Sequence, residues 1–298
     1  MFTHAAVALD HSDASDVMIF CLEHIKQFGT EKLTLITSIS QSYPGGTSTL
    51  DISGYQEKME HYKTQAEQQG FEVDIRLEAG INAYPPVEIL RAAKDAGAGW
   101  LFLANRGYSK VRELLLGSTA SEILQRTEMP VLLLNMSVSN EQKAEDRRFY
   151  CSKACREIFE HILHPTDFSD TAKRAFQVGV RYLGEKSSEW TLMHVQAASR
   201  VNLQNQEETQ SFDDTDTKRL SGMKTELSRY AETSEINLSI RHGAPAAEII
   251  AEADEKNVSM ILMGSQGRGF ISKLFMGGVG LQVARLSRVP VLFIPAKR

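Results

Sequence analysis

The 298-residue sequence predicts an α/β fold of two tandem domains, and three observations predict it. First, the chain repeats itself. Met129-Pro130-Val131-Leu132-Leu133-Leu134 returns as Val289-Pro290-Val291-Leu292-Phe293-Ile294, and Gly107, Gly117 and Glu88-Ile89-Leu90 return as Gly267, Gly277 and Glu248-Ile249-Ile250, all at a spacing of 160 residues. A period this long is a duplicated domain, not a solenoid unit. Second, each copy alternates short apolar runs with longer stretches of helical periodicity. Third, the apolar runs are almost uninterrupted, as in a parallel sheet covered on both faces and joined by right-handed crossovers.

Taken in order, copy one offers strands at 4–9, 32–38, 72–77, 100–104 and 131–134, with helices at 13–28, 55–69, 87–95 and 118–127. Asp13, Pro86 and Ser118 are the residue types that start helices. Copy two offers strands at 161–165, 190–195, 236–241, 259–263 and 291–294, with helices at 170–183, 218–233, 246–256 and 279–287. Near the copy starts, Val7-Ala8-Leu9-Asp10 aligns with His164-Pro165-Thr166-Asp167 at a spacing of 157. The polar stretches 41–53 and 197–217 read as loops over the C-terminal edge of each sheet, where open α/β sheets bind ligands. Residues 1–136 form the first domain and 158–298 the second. Between them, 137–157 reads as a charged linker with a lead-in helix from 149.

Composition narrows the function. Lys+Arg 33 against Asp+Glu 38 leaves a net charge of −5, and the pI is near 5.9, so nucleic acid is not an expected partner. Mean hydropathy is −0.26 and no apolar run approaches the ~18 residues of a membrane span. Three cysteines fit a reducing compartment, and the opening Met1-Phe2-Thr3-His4-Ala5 carries no basic leader, so a cytoplasmic location is expected.

The residues that carry chemistry follow the fourth strand of each copy. Copy two has Gly264-Ser265-Gln266-Gly267-Arg268-Gly269 and then Gly277-Gly278-Val279; copy one has Ala104-Asn105-Arg106-Gly107-Tyr108 and then Gly117-Ser118-Thr119. Glycines at a strand end suit tight turns and close approach of a ligand to backbone amides. A helix start offers free N–H groups and a favourable dipole to an anion, and the Ser118 and Thr119 hydroxyls add donors. The combination predicts a phosphate cradle. It is not a P-loop, because Phe270-Ile271 follows Gly269, and the dinucleotide Gly-x-Gly-x-x-Gly spacing fails at the same place.

The spacing Gly-x2-Gly-x9-Gly-Ser/Thr, the Pro-Val-Leu-Leu last strand and the turn Asp10-His11-Ser12 with its counterpart Asp167-Phe168-Ser169 resemble the signature of the universal stress protein (UspA-like) family, twice over. That resemblance implies an adenine nucleotide α-hydrolase-like, Rossmann-like fold: in each domain a five-stranded parallel sheet of order 3-2-1-4-5 with helices on both faces. It also implies a ligand crevice between strands one and four. Carried over position by position, the nucleotide-binding residues are Asp10, Ala104, Gly107, Gly117, Ser118 and Thr119 in copy one, and Asp167, Gly264, Gly267, Gly277 and Gly278 in copy two. Each copy departs once from the pattern, at Ala104 and at Gly278. The expected ligand is ATP or another adenine nucleotide, with or without Mg, in a stress-response protein whose occupancy regulates conformation or partner binding. The family also implies an internal pseudo-dimer through the two last strands, with a homodimer as a further level, and an unidentified protein partner. The rival is an interaction module with empty sites.

No metal site and no catalytic residue is expected. Cys151 and Cys155 lack further ligands, His161 and His164 alternate across a strand, and His164 with His194 lacks a third ligand. Cys21 reads as core. No nucleophile–base pair is recognisable and no residue stands out as a base for water, so slow ATP hydrolysis is the most that is expected.

Overall fold

The computed structural model describes residues 1–41, 52–81, 83–105, 116–138, 149–151, 158–197, 206–266 and 276–296. The chain divides into two compact units, Met1–Arg156 and Glu157–Arg298. Among the described residues no helix is long and apolar enough to cross a membrane.

The N-terminal unit runs β1 (His4–Ala8), α1 (Asp13–Phe20), α2 (Leu22–Gln27), β2 (Lys32–Gln41), α3 (Ser53–Gln68), β3 (Glu72–Ile81), α4 (Pro85–Asp95), β4 (Trp100–Ala104), α5 (Ser118–Arg126), β5 (Val131–Leu134), β6 (Met136–Val138) and β7 (Phe149–Cys151). Its main sheet is parallel throughout, in the order β3-β2-β1-β4-β5. Strands β1, β4 and β5 are apolar at nearly every position and buried. Phe2, Phe28 and Trp100 close the base of the core, their ring centroids 5.0–5.2 Å apart. In α5, Ala120, Ile123 and Leu124 give one buried stripe at helical spacing, and Pro85 and Pro86 occupy the first turn of α4, where their missing amides cost nothing.

The C-terminal unit repeats the plan with β8 (His161–Pro165), α6 (Asp170–Leu183), β9 (Glu189–Ala197), α7 (Gln206–Leu227), β10 (Glu235–Gly243), α8 (Pro245–Glu255), β11 (Met260–Gly264), α9 (Gly278–Leu286) and β12 (Val291–Ile294). Its strands lie in the order β10-β9-β8-β11-β12, again parallel. Gly179 lets α6 approach the sheet: a Cβ there would sit 2.7 Å from Leu262 and 3.0 Å from the Trp190 ring.

Three sequence expectations are corrected. The helix expected over 13–28 steps at Cys21, whose amide is shared between the Val17 and Met18 carbonyls, while Met18, Ile19, Leu22 and Ile25 keep one core face across the step. The loop expected over 197–217 is helical from Gln206, and α7 ends at Leu227, short of the expected 233. Asp216, Leu220 and Leu227 supply its buried face, so polar composition there does not signal a loop. The helix expected from 149 begins instead as strand β7, paired antiparallel with β6 from Val138↔Phe149 to Met136↔Cys151. The aromatic pair Phe149-Tyr150 favours that extended ladder. Residues 42–51, the centre of the other expected loop, lie outside the described residues.

Candidate functional site

In each unit the aspartate turn after the first strand and the start of the last helix flank the point where strand order reverses. Asp10 follows β1 and Asp167 follows β8. The turns share a geometry that the Asp-x-Ser spacing could have announced. The Ser12 amide donates to Asp10 Oδ1 and the Ser169 amide to Asp167 Oδ1, both at 3.0 Å. Each serine then caps its helix, accepting from the Ala14 or Ala172 amide at 3.3 Å. The residue between is left-handed in both: His11 at φ 64° and Phe168 at φ 59°. Side chains other than Gly, Asn or Asp rarely adopt that conformation, and it costs about 1–2 kcal/mol. The strain therefore needs local compensation.

That compensation differs between the copies. In the first, the buried Ser15 hydroxyl donates to Asp10 Oδ1 at 3.0 Å and accepts from the Asp10 and His11 amides at 3.0 and 3.1 Å. Ser12 Oγ adds a bond to the same carboxylate oxygen at 2.5 Å. Oδ1 thus takes three donors, which fixes the direction of Oδ2. Burial, then nearby Lys58, holds the His11 imidazole below its ordinary pKa. In the second copy Ala172 replaces Ser15, and Thr166 Oγ1 accepts from the Phe168 amide at 3.0 Å.

Gly117 and Gly277 are the N-caps of α5 and α9, in extended conformations at φ −57° and −65°. Their amides are already committed, Gly117 to the Asn105 carbonyl at 2.7 Å and Gly277 to that of Ser265 at 2.9 Å. Asn105 and Ser265 in turn donate to Leu134 and Ile294 on the last strand. The helix start is so pinned to the sheet edge, and the next three amides are those of Ser118, Thr119 and Ala120 in copy one and of Gly278, Val279 and Gly280 in copy two. Among the described residues none of the six donates to a backbone carbonyl. Ser118 is exposed and Thr119 half-buried, while copy two presents no hydroxyl there.

The two departures from the glycine pattern mean different things. Ala104 lies outside the left-handed region, so its Cβ carries no conformational penalty. At the matching Gly264 a Cβ would meet the Thr171 main chain and Cγ2 at 2.9–3.0 Å, and the residue equivalent to Thr171 in copy one is the smaller, buried Ala14. Gly264 is thus required by the close packing of α6 on β11. Gly278 faces open space, with nothing within 4 Å of a Cβ. Gly107 and Gly267 lie outside the described residues, as does Cys155.

The histidines considered as metal ligands are otherwise engaged. His161 meets Thr191 Oγ1 at 2.8 Å, and His164 Nδ1 meets the Leu262 carbonyl at 2.8 Å. His164 is fully buried, which lowers its pKa to about 4 and keeps it neutral. His194 Nδ1 meets the Thr166 carbonyl at 2.6 Å. Among the described residues no group of three His, Cys, Asp or Glu side chains is placed to hold a metal ion. Cys21 is buried core.

The universal stress protein family model matches residues 1–135 and 159–295, nearly the whole chain, once in each unit. The chain belongs to the universal stress protein family. Universal stress protein YxiE of Bacillus subtilis is 26% identical over 154 residues, covering 46% of this chain and 99% of its own length. Universal stress protein MJ0577 of Methanocaldococcus jannaschii is 32% identical over 77 residues, which span 26% of this chain and 46% of that protein. The crystal structure of a universal stress protein from Archaeoglobus fulgidus shares the fold across 99% of both chains, with a TM-score of 0.66 at 23% identity.

Proposed function

We propose that this universal stress protein binds an adenine nucleotide at the switch point of its units, and that occupancy regulates its conformation or its binding of a protein partner. One observation carries the reading: in the N-terminal unit a carboxylate whose free oxygen is fixed in direction stands at the strand-one end, and three amides with two hydroxyls stand at the helix start. A carboxylate accepts from ribose hydroxyls or a base amine, and free helix-start amides suit phosphate. ATP, with or without Mg, fits both ends. Binding, with at most slow ATP hydrolysis, is the activity proposed.

The N-terminal copy is the stronger phosphate site because Ser118 and Thr119 stand where the C-terminal copy has Gly278 and Val279. Those same two residues favour a second reading for the C-terminal copy, as a surface that contacts a protein instead of a phosphate. Chromatography of the supernatant from heat-denatured protein, together with calorimetric titration of ATP, tests the first reading. Absence of both co-purified and titratable nucleotide would overturn it.

A further inference from the structure

The aspartate turn of the C-terminal unit is held from a neighbouring strand and helix as well as by Ser169. His194 on β9 puts Nδ1 2.6 Å from the Thr166 carbonyl oxygen, immediately before Asp167. Its ring lies 4.7 Å from that of Phe168, the left-handed residue immediately after. The other ring nitrogen, Nε2, faces Asp216 Oδ2 of α7 at an ion-pair distance of 3.4 Å. A carbonyl only accepts, so Nδ1 carries a proton; a carboxylate only accepts, so Nε2 joins the chain only with a proton as well. The first contact is a hydrogen bond and the second an ion-pair distance, which positive charge on the imidazole strengthens. The two side chains are 12% and 11% exposed, so solvent screens the pair weakly.

The charged groups around this pair come from the turn and from α7. Asp167 belongs to the turn itself. Arg219 donates to Asp216 Oδ1 at 3.1 Å and lies over the Phe168 ring, 5.2 Å from its centroid. Gln196 of β9 donates to Asp216 Oδ2 at 3.1 Å. One helical turn earlier, Asp213 meets His242 of β10 at 3.1 Å, a second His–Asp contact on the same helix. From β10 the residue opposite His194 is the uncharged Ile240.

We propose that His194 is a positioning residue of the C-terminal site: protonated, it ties the Asp167 turn to Asp216 of α7, so this copy holds an adenine nucleotide more tightly with His194 charged. The N-terminal copy, whose turn is set by the Ser15 hydroxyl and whose position equivalent to His194 is Thr37, lacks that dependence. The inference rests on the nucleotide-binding reading for its ligand, but the latch itself does not.

The test uses the full chain in two single-site forms. Gly117→Asp leaves only the C-terminal site for ATP, and Gly277→Asp leaves only the N-terminal one. Calorimetric affinities for ATP are measured at about pH 6 and about pH 8. Protonation of ATP itself affects both forms alike, so the difference between them is the readout. The C-terminal site is expected to weaken by about tenfold relative to the N-terminal site as pH rises, the scale of one little-exposed ion pair. His194→Gln, which keeps a donor for the Thr166 carbonyl but cannot titrate, should abolish the difference, as should Asp216→Asn. Parallel pH profiles in the two forms, or a profile unchanged by His194→Gln, overturn the proposal. A ligand-free measurement separates its failure from that of the nucleotide reading. Amide exchange at Phe168 and across 212–220, corrected for intrinsic rates, should accelerate from about pH 6 to about pH 8 in the native chain and not in His194→Gln. If ATP binds neither form, the nucleotide reading fails and this exchange result alone decides the latch, unchanged protection counting against it.

Discussion

At the scale of single residues, the candidate site consists of small side chains whose value lies in what they leave free. Ser15 is the clearest case, because one hydroxyl serves a carboxylate and two amides at once. Ser15→Ala orphans both amides and removes one of three donors to Asp10, so it should cost about 1–3 kcal/mol of stability. It should also weaken ATP binding in the N-terminal copy by about tenfold, and chemical denaturation and calorimetry check the two effects. Gly117→Asp should separate affinity from stability in the opposite direction. Asp is a favoured N-cap, and at this position its carboxylate can accept from the free amides of α5. The variant should therefore melt no lower than the parent without ligand yet lose ATP binding in that copy, since the new carboxylate occupies the place of the phosphate and repels it. Gly278→Ser is the matching gain. A Cβ there meets nothing within 4 Å, and the hydroxyl should tighten ATP binding in the C-terminal copy by about tenfold or more. Unchanged affinity in both variants would remove the phosphate role of the helix starts.

At the scale of elements, the ends of strands are fixed by charge as much as by apolar packing. Arg241 on β10 reaches three carboxylates of α8: Glu252 at 2.5 Å, Glu248 at 3.5 Å, and Glu255. Glu255, then Glu252, raises the Arg241 pKa further above its ordinary value. Glu252 is 3% exposed in its side chain, so it depends on this partner. Arg241→Met should cost about 3 kcal/mol by leaving a buried carboxylate unpaired, and Arg241→Met with Glu252→Leu should recover much of that loss. Denaturation midpoints of the two variants test the pair. The α4 arrangement differs: Arg91 binds Glu78 and Glu88 at 2.6 and 2.5 Å, but it is more than half exposed, and its removal should change stability little. The fold plan was legible at this scale from Pro130 and Pro290, from the apolar strands and from the helical stripe of α5. The extensions of β2 to Gln41 and β3 to Ile81 were not, because Ser40, Glu78 and Gly80 are polar or small and the ladder there is held by backbone pairing.

At the scale of the whole molecule, acid should be more damaging than the acidic composition implies. His164 is fully buried, its pKa about 4 against 6.5 when solvated. The unfolded chain therefore binds more protons than the folded one between those values, and stability must fall as pH drops from 6.5 toward 4. The contribution approaches about 3 kcal/mol at the acid end, from ~1.36 kcal/mol per unit. Burial also lowers His161, His4 and His11, in the same direction. His164→Leu should flatten the loss of stability between neutral and acid pH, as measured by urea denaturation across that range. An unchanged slope would mean that His164 is not the group responsible.

The sequence by itself determined the duplication, the alternation of strand and helix, the family, and the residue types at each helix start. All of these are written in local spacing: a proline before an apolar run, a serine two positions after an aspartate, a glycine before Ser118. Tertiary structure alone decided what those residues do. It made Gly264 a packing glycine by placing Thr171 against it, and relieved Ala104 of penalty by setting its backbone outside the left-handed region. It committed the Gly117 amide to Asn105 and left the next three amides without backbone partners among the described residues. It also turned the acidic run before Lys218 into helix and brought His194 against Thr166 and Asp216. The physical reason is the same in each case. Local spacing sets which backbone conformations are cheap, whereas the partner of a polar group and the room beside a Cβ depend on residues that are far apart in the chain and meet only when the sheet forms.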